Sequence, residues 1–150
     1  MIQYVQGDAT SPIGTGKRII AHVVNDRGGW GRGFVVALSE KWTAPEEKYR
    51  EWFKKQRRFK LGEIQIVHVE PNVSVVNMLA QSGFRSDGTR PLNLLALEKC
   101  LVKLCSYARV DRSTVHMPRI GCGLGGATWA EVSPVIERAM KIVPVYVYDL

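Results

Sequence analysis

Two glycine-rich segments constrain the fold of this chain most, because each lies between an apolar run and a helical pattern. The first apolar run, RIIAHVV at 18–24, is the continuous kind that a strand buried on both faces needs. It ends at 25–33, NDRGGWGRG, whose four glycines are too many for a regular element. The second run, at 114–117, ends in PRIGCGLGG at 118–126. The chain is therefore predicted to alternate buried strands with glycine-bearing loops and helices.

The whole order of elements predicts an α/β fold. Predicted strands cover 2–5, 18–24, 63–69, 73–80, 114–117 and 144–148, and predicted helices cover 34–42, 45–59, 92–108 and 128–141. Capping-box patterns, Thr43 with Glu46 and Thr128 with Glu131, mark two helix starts. Loops at the carboxyl ends of parallel strands line the ligand crevice of an open α/β sheet. We therefore expect the loops after residues 24, 80 and 117 to meet at one edge.

The glycines in these loops suit an anion. A Cβ atom keeps a backbone N–H from approaching a phosphate closely, and glycine removes that obstacle, so successive N–H groups can form a nest. Neither loop ends in the GK[ST] of a P-loop, and neither opens as GxGxxG after a first strand. A lone loop of this kind is more simply a tight turn. Two such loops favour two facing walls around a diphosphate.

Taken together, these segments resemble the macrodomain family. The matching features are Gly7-Asp8 after the first strand, the His22…Asn25…Trp30-Gly31…Gly33 pattern, the PRIGCGL stretch and the closing Tyr148-Asp149-Leu150. The resemblance is to the branch that contains the yeast-type ADP-ribose 1″-phosphate phosphatase and the terminal ADP-ribose protein glycohydrolase. It implies a single domain over 1–150, with a three-layer α/β/α fold and a mixed central sheet of about six strands. It also implies ADP-ribose or ADP-ribose 1″-phosphate as the ligand.

The resemblance gives roles to individual positions. Asp8 and Ala9 would meet the adenine, and Asn25 would contact the distal ribose, beside the wall formed by Trp30. One side of the diphosphate would be lined by Gly31, Arg32 and Gly33. The other side would be lined by Arg119, Ile120, Gly121, Cys122, Gly123, Leu124 and Gly125. Tyr148 and Leu150 would lie near the adenosine half.

Catalysis by the glycohydrolase branch needs a lysine after the fourth strand and an aspartate after GCGL. This chain has no lysine between Lys60 and Lys99, and Gly125 follows Leu124. The lysine-based mechanism therefore cannot be placed. Water-based hydrolysis remains, with Asn25 and Asp26 as candidate catalytic residues, or with a substrate phosphate that orients the water. Asp26 could equally be a solvated loop residue.

Other reactive residues are expected to be structural. The histidines His22, His68 and His116 fall inside predicted strands, as satisfied core histidines do. Cys122 has no adjoining base and suits a small position between glycines. No cluster has metal-ligand spacing, so neither a metal nor a cofactor is expected.

A basic segment is the main competing feature. Six cations are interleaved with aromatic residues there: Arg50, Trp52, Phe53, Lys54, Lys55, Arg57, Arg58, Phe59 and Lys60. The aromatics recur on the opposite helical face from most charges, which favours an amphipathic surface helix over a nucleic-acid patch. Such a surface could still recruit RNA, DNA or an ADP-ribosylated protein. Arg85 and Arg90, in the third loop, are better placed than this segment to meet ligand phosphates; the alternative is that either is simply exposed.

The net charge of +7 favours an anionic partner. The chain shows neither a signal peptide nor an apolar run long enough to cross a bilayer, and its three cysteines form no CxxC pair. We therefore expect a cytoplasmic monomer without a membrane partner. Three functions remain open: a hydrolase of an ADP-ribose derivative, a non-catalytic ADP-ribose reader and, third, a nucleic-acid-binding domain.

Overall fold

The computed structural model describes residues 1–83 and 90–150, which form six strands and four helices. The strands are β1 (Ile2–Gln6), β2 (Arg18–Asn25), β3 (Ile64–Glu70), β4 (Val73–Gln81), β5 (Thr114–Met117) and β6 (Val145–Asp149). The helices are α1 (Phe34–Lys41), α2 (Ala44–Lys55), α3 (Leu94–Asp111) and α4 (Trp129–Ala139). All ten elements occur where the sequence predicts them, with ends that differ by a few residues.

One mixed sheet holds all six strands, in the order β1-β6-β5-β2-β4-β3. Every neighbouring pair is parallel except β3 and β4, which are antiparallel. The parallel strands consequently end at one edge of the sheet, where β3 begins. This confirms the predicted mixed sheet.

Helices cover both faces of the sheet, as the three-layer prediction requires. One core lies between the sheet and α3 with α4, and the other lies between the sheet and α1 with α2. Successive residues of a strand alternate between these cores: Ile19 packs in the first and Ile20 in the second. Strand β4 is buried along 73–80, which explains why both of its faces carry apolar residues, with Ser74 and Asn77 as its two buried polar residues.

Helix α2 is shorter than predicted. The chain leaves the helix at Gln56, which has a φ of 57°, and turns again at Arg58, with a φ of 53°. Phe59 therefore lies in a loop and not in the helix. The predicted capping box at Thr43 is wrong, since the Thr43 side chain makes no capping bond. The carboxylate of Glu46 instead accepts hydrogen bonds from side chains of α1 and α2.

Helices α3 and α4 begin with side-chain caps. Thr128 and Glu131 form the predicted capping box of α4. Helix α3 begins two residues later than predicted, because the side chain of Asn93 accepts the N–H of Ala96 and fixes the start. None of the helices in the described ranges is long and apolar enough to cross a membrane.

Candidate functional site

A cleft of about 470 Å³ opens at the edge where the parallel strands end. It lies where the segments after β2, β4 and β5 meet, as the strand order predicts. Its lining residues are Val23, Val24, Asn25, Gly29, Trp30, Gly31, Arg32, Val35, Gln81, Gly83, Pro91 and Leu124. Five residues from the predicted site are among them: Asn25, Trp30, Gly31, Arg32 and Leu124.

The side chain of Asn25 organises the first wall of the cleft. Its Oδ1 accepts the backbone N–H groups of Arg27 at 2.9 Å and Gly29 at 3.1 Å. Its Nδ2 donates to the carbonyl oxygen of Gly29 at 3.0 Å. An amide nitrogen carries two hydrogens, and within residues 1–83 and 90–150 the second N–H of Asn25 has no acceptor. Asn25 therefore closes the loop on itself and still faces the cleft.

The buried Tyr49 side chain of α2 contacts Asn25 and fixes its position. The Tyr49 hydroxyl lies 2.5 Å from the backbone oxygen of Asn25 and 3.0 Å from its Oδ1. Burial, the largest cause, raises the pKa of Tyr49 to about 12, so this hydroxyl stays a donor at neutral pH. The Trp30 ring packs against Tyr49 at a centroid distance of 5.5 Å. Helix α2 thus positions both Asn25 and Trp30 in the first wall.

A chain of polar contacts fixes Trp30 and Gly28 to the same helix. Nε1 of Trp30 donates to Ser39 Oγ at 2.8 Å, and Ser39 donates to Glu46 at 3.2 Å. The second oxygen of Glu46 accepts Nε of Arg50 at 2.8 Å, and Arg50 donates to the carbonyl oxygen of Gly28 at 3.1 Å. Both ends of this chain lie on the glycine-rich loop, so α1 and α2 together set the shape of the first wall.

The glycines of the first wall differ in what they do. Gly28 has a φ of 77°, and an added Cβ would lie 2.8 Å from two ring atoms of Phe53. At Gly31 no atom lies within 4 Å of an added Cβ. Gly33 is the N-cap of α1 and has no side chain to cap it. The first N–H groups of α1 therefore have no side-chain acceptor, which is a favourable place for an anion.

The second wall approaches the first at Leu124. A Cβ added at Gly33 would lie 3.6 Å from the Leu124 side chain, so the two glycine loops are neighbours. Within the second loop, a Cβ at Gly125 would lie 2.5 Å from the backbone oxygen of Gly121. At Gly123, by contrast, an added Cβ would meet nothing within 4 Å. The backbone of this loop is thus tightly packed between Gly121 and Gly125, while Gly123 between them is open.

Asp26 joins two loops. Its Oδ1 accepts the N–H of Gly83 at 2.9 Å, and its Oδ2 accepts the Ser82 hydroxyl at 3.1 Å. Its backbone N–H donates to Gln81 at 3.0 Å. Asp26 does not line the cleft, so the structure brings it beside the candidate site and engages both carboxylate oxygens. Its role as a general base stays a prediction.

The residues predicted to meet the adenosine lie at the ends of β1 and β6, outside the cleft lining. Oδ1 of Asp8 accepts the N–H and the hydroxyl of Thr10, both at 2.8 Å, while Ala9 is buried. The Tyr148 ring is in contact range of Gly7, and its hydroxyl accepts the N–H of Ile13 at 2.9 Å. Leu150 is 97% exposed. None of these four residues lines the cleft, and their contact with an adenosine stays a prediction.

Two arginines that the sequence places near the ligand are paired with carboxylates in the structure. Arg119 makes a two-pronged pair with Asp149 at 2.7 and 3.0 Å and lies over the rings of Tyr4 and Trp129. Arg90 pairs in the same way with Glu131. Arg85 lies outside the described residues.

Five further predicted residues of the second loop are not among the lining residues of the cleft: Ile120, Gly121, Cys122, Gly123 and Gly125. Ile120 is buried, Cys122 is half-buried, and the positions of Gly121 and Gly125 are set by their packing. Desolvation, the largest cause, raises the pKa of Cys122 above its ordinary value, which makes its thiol a weak nucleophile. Cys122 is therefore a packing residue in this loop.

Two of the three histidines are satisfied core residues, as predicted. Nε2 of His22 lies 2.5 Å from Oδ1 of Asn77, and Nδ1 of His116 lies 2.8 Å from the Tyr148 hydroxyl. His68 lies in β3 as predicted but is exposed, which corrects the expectation that it is buried.

The sequence analysis did not identify the supporting residues Tyr49, Ser39, Glu46 and Arg50 as part of a site. Only one signal was available: Glu46 and Arg50 have the i, i+4 spacing of a helical ion pair. Their contacts with the glycine loop join distant segments, which no local pattern reveals.

Comparisons with known proteins give a consistent result. No family model matches the chain. A solved macrodomain protein from Streptomyces coelicolor is 42% identical, with a TM-score of 0.89, and covers 100% of this chain and 99% of its own. A solved protein of unknown function from Bacteroides thetaiotaomicron is 46% identical, with a TM-score of 0.96 and coverage of 100% and 98%.

Two curated relatives add names. The Chromodomain-helicase-DNA-binding protein 1-like of Mus musculus is 30% identical over 98% of this chain. The chain spans only 17% of that protein, and 14% of its counterpart in Danio rerio. The ADP-ribose 1″-phosphate phosphatase of Candida albicans is 25% identical over 92% of this chain and 93% of its own length.

Proposed function

The chain belongs to the macrodomain family, and on that premise we propose that its cleft binds ADP-ribose or a derivative of it. The observation that carries the proposal is the meeting of two glycine-rich walls at Gly33 and Leu124. Beside them α1 begins without a side-chain cap. Backbone N–H groups on two sides and a helix N-terminus are what a diphosphate needs.

Shape and charge agree with this ligand. The cleft is large enough for a ribose with its phosphates, since small-molecule sites typically measure about 300 to 1,000 Å³. Arg32 supplies a cation at the first wall, and the remaining N–H of Asn25 can donate to a ribose hydroxyl. The adenosine half would extend from the cleft toward Asp8 and Tyr148. The names of the fungal relatives support ADP-ribose 1″-phosphate as one form of the ligand.

The test places a carboxylate in each wall. Gly31→Glu and Gly123→Glu add bulk and negative charge at positions where an added Cβ would lie within 4 Å of no atom. Gly123 has a φ of 24°, which side chains disfavour, so circular dichroism must first show that this variant folds, and Gly31→Glu carries the test if it does not. We expect each variant to lose ADP-ribose binding by at least about 100-fold, because charge repulsion and lost volume act together. Isothermal titration calorimetry measures the loss.

Gly16→Glu is the matched control. Gly16 is equally open but lies before β2, at the opposite edge of the sheet. This variant should bind ADP-ribose like the parent. If Gly31→Glu and Gly123→Glu also bind like the parent, the cleft is not the diphosphate site.

We propose further that the protein hydrolyses its ligand with a water molecule, releasing a terminal phosphate or an ADP-ribosyl group. The fungal relatives are named as phosphatases, and Asn25 faces the cleft where the distal ribose would lie. Release of phosphate from ADP-ribose 1″-phosphate, or of ADP-ribose from a modified protein or nucleic acid, tests this. Tight binding without turnover would identify a reader module instead.

Asp26→Asn separates two roles for this residue. An amide can still accept the Gly83 N–H and donate to Ser82, so a loop-holding role predicts a kcat within about threefold of the parent. A general base contributes about 10² to 10⁴ in rate, so a catalytic role predicts a fall of that size. The two engaged oxygens lead us to expect the smaller effect. Asp26→Ala is the companion variant that removes both roles.

A further inference from the structure

We propose that a second, basic pocket beside the cleft binds the phosphate backbone of a single-stranded nucleic acid. The pocket lies between the end of α2 and the start of β3, and its volume is about 470 Å³. Its lining residues are Trp52, Arg57, Arg58, Glu63, Ile64, Gln65 and Lys103. This proposal does not depend on the ligand of the cleft.

The early end of α2 creates the pocket. Had the helix continued to Phe59, the charges would lie along a convex surface. The left-handed turns at Gln56 and Arg58 instead fold the chain back in front of β3. Nε1 of Trp52 donates to the carbonyl oxygen of Arg57 at 3.0 Å, which holds this turn closed. Both arginines therefore face a concave surface with an aromatic wall.

The charge of the pocket is positive and largely uncompensated. In the part of the chain that the structure describes, the guanidinium groups of Arg57 and Arg58 make no hydrogen bond or ion pair. Glu63 is the one carboxylate in the lining, and it is paired with Lys103. Lys54 and Lys60 flank the turn, and both are exposed. Two neighbouring guanidinium groups without partners are good donors for phosphate oxygens.

The extent of this surface favours a nucleic acid over one small anion. Cations continue beyond the pocket to Lys99, whose side chain packs against Gly62. A strand of linked phosphates would meet several of them in turn. Trp52 is half-buried, and the Phe59 ring packs against it edge-on at 5.0 Å, so its ring is held in place. A concave basic groove with a fixed aromatic side chain is typical of single-strand binding.

The pocket opens near the sheet edge that carries the cleft. The backbone N–H of Leu79 donates to the carbonyl oxygen of Glu63 at 3.0 Å, and Gln81, two residues further, lines the cleft. Helix α2 serves both openings, because Arg50 bonds Gly28 at the cleft while Trp52 lines the pocket. A nucleic acid in the pocket would therefore pass close to the cleft.

The test compares two double variants with the same change in net charge. Arg57→Ala/Arg58→Ala removes the pocket cations, and Arg109→Ala/Lys141→Ala removes two exposed cations elsewhere. Binding of a fluorescein-labelled oligothymidine of about 12 nucleotides is followed by anisotropy at several salt concentrations. We expect the pocket variant to bind about tenfold more weakly at low salt. Its slope of log K against log salt should fall by about 1.4, for two phosphate contacts at about 0.7 each.

The control variant should keep most of the affinity of the parent and nearly its slope. Equal losses in both variants would show an effect of net charge alone and would overturn the pocket. So would unchanged binding in the pocket variant, or a duplex or polyglutamate that binds as tightly as the single strand. Calorimetry with ADP-ribose on the same proteins should show unchanged affinity. The proposal that the pocket binds nucleic acid and the proposal that the cleft binds ADP-ribose are therefore tested separately.

Discussion

His22 illustrates how single residues of the core shape the cleft without taking part in its chemistry. It is 2% exposed, and the Trp30 ring meets its imidazole edge-on at a centroid distance of 5.3 Å. Desolvation, opposed by the bond to Asn77, lowers the pKa of His22 to about 4. The imidazole is therefore neutral at physiological pH and supports the tryptophan wall by packing.

This burial predicts a pH dependence of stability. Between pH 6.5 and about 4, the unfolded chain protonates His22 and the folded chain does not, so the unfolded state binds more protons. The free energy of unfolding therefore falls as the pH is lowered through this window, by about 3 kcal/mol for this residue. Urea unfolding at a series of pH values measures it. In His22→Gln the slope should decrease by up to one proton; an unchanged slope would contradict the assignment.

Gly28 carries a second prediction at the scale of one residue. Its φ of 77° and the Phe53 ring at 2.8 Å from an added Cβ both disfavour a side chain. Gly28→Ala should lower the free energy of unfolding by about 1 to 3 kcal/mol. Gly31→Ala, in the same loop but without strain or contact, should change it by less than about 0.5 kcal/mol. Equal effects, measured by urea unfolding, would show that the loop does not pack on α2 as described.

Helix α2 is the element on which the site depends most, although none of its residues is among those that line the cleft. It acts through side chains that hold the first glycine-rich loop. Tyr49 holds Asn25, Arg50 holds Gly28, and Phe53 packs against Gly28. These three side chains occupy neighbouring turns on one side of the helix, so a shift of α2 would move the first wall as a unit.

Two ion pairs on α2 separate this supporting role from surface electrostatics. Arg50 pairs with Glu46, and Lys55 pairs with Glu51, both at i, i+4 and both at 2.8 Å. Only Arg50 also reaches the glycine loop. We expect Arg50→Ala to weaken ADP-ribose binding about three- to tenfold, and Lys55→Ala to leave it unchanged, by calorimetry. Thermal unfolding should move little in either variant, since exposed pairs contribute at most about 1 kcal/mol.

The end of α2 shows what local sequence could not predict. The segment 55–61 contains no glycine or proline, so nothing in it announces a helix end before Gly62. The chain nevertheless turns at Gln56 and Arg58 in left-handed conformations that glycine normally occupies. Packing of Phe59 against Tyr49 and Trp52 accompanies these turns. Tertiary contacts overrode local propensity here, and the same contacts created the basic pocket.

For the whole molecule, the sequence predicted the layers and the edge at which the loops meet, because buried strands and amphipathic helices leave periodic patterns. It did not predict the hydrogen bonds that run from Trp30 to Arg50. These bonds connect a loop with two helices, and no sequence periodicity indicates which of their side chains meet. The sequence also did not predict that Arg119 and Arg90 pair with Asp149 and Glu131, and their contact with a ligand stays a prediction. The carboxylate with which an arginine pairs is determined by the fold, because the two residues are distant in sequence.

The sheet order makes the last strand essential to the molecule. Strand β6 lies between β1 and β5, and Val145 and Val147 are buried in the core. Deletion of residues 145–150 should abolish cooperative thermal unfolding, followed by circular dichroism, because β1 loses its neighbour. Deletion of Leu150 alone, which is 97% exposed, should shift the midpoint by no more than a few degrees. A cooperative transition in the longer deletion would contradict the strand order.

The tight turn around Gly125 limits how this protein could acquire a different chemistry. The resembling glycohydrolase branch carries an aspartate at the corresponding place, but here any Cβ would meet the Gly121 oxygen at 2.5 Å. An aspartate at position 125 would therefore force the backbone of this loop to shift. An engineer, or an evolving lineage, would have to rebuild the loop from Gly121 to Gly125 together with a new lysine. Backbone shape thus stands against the carboxylate of that branch, and acquiring it requires replacing a whole segment.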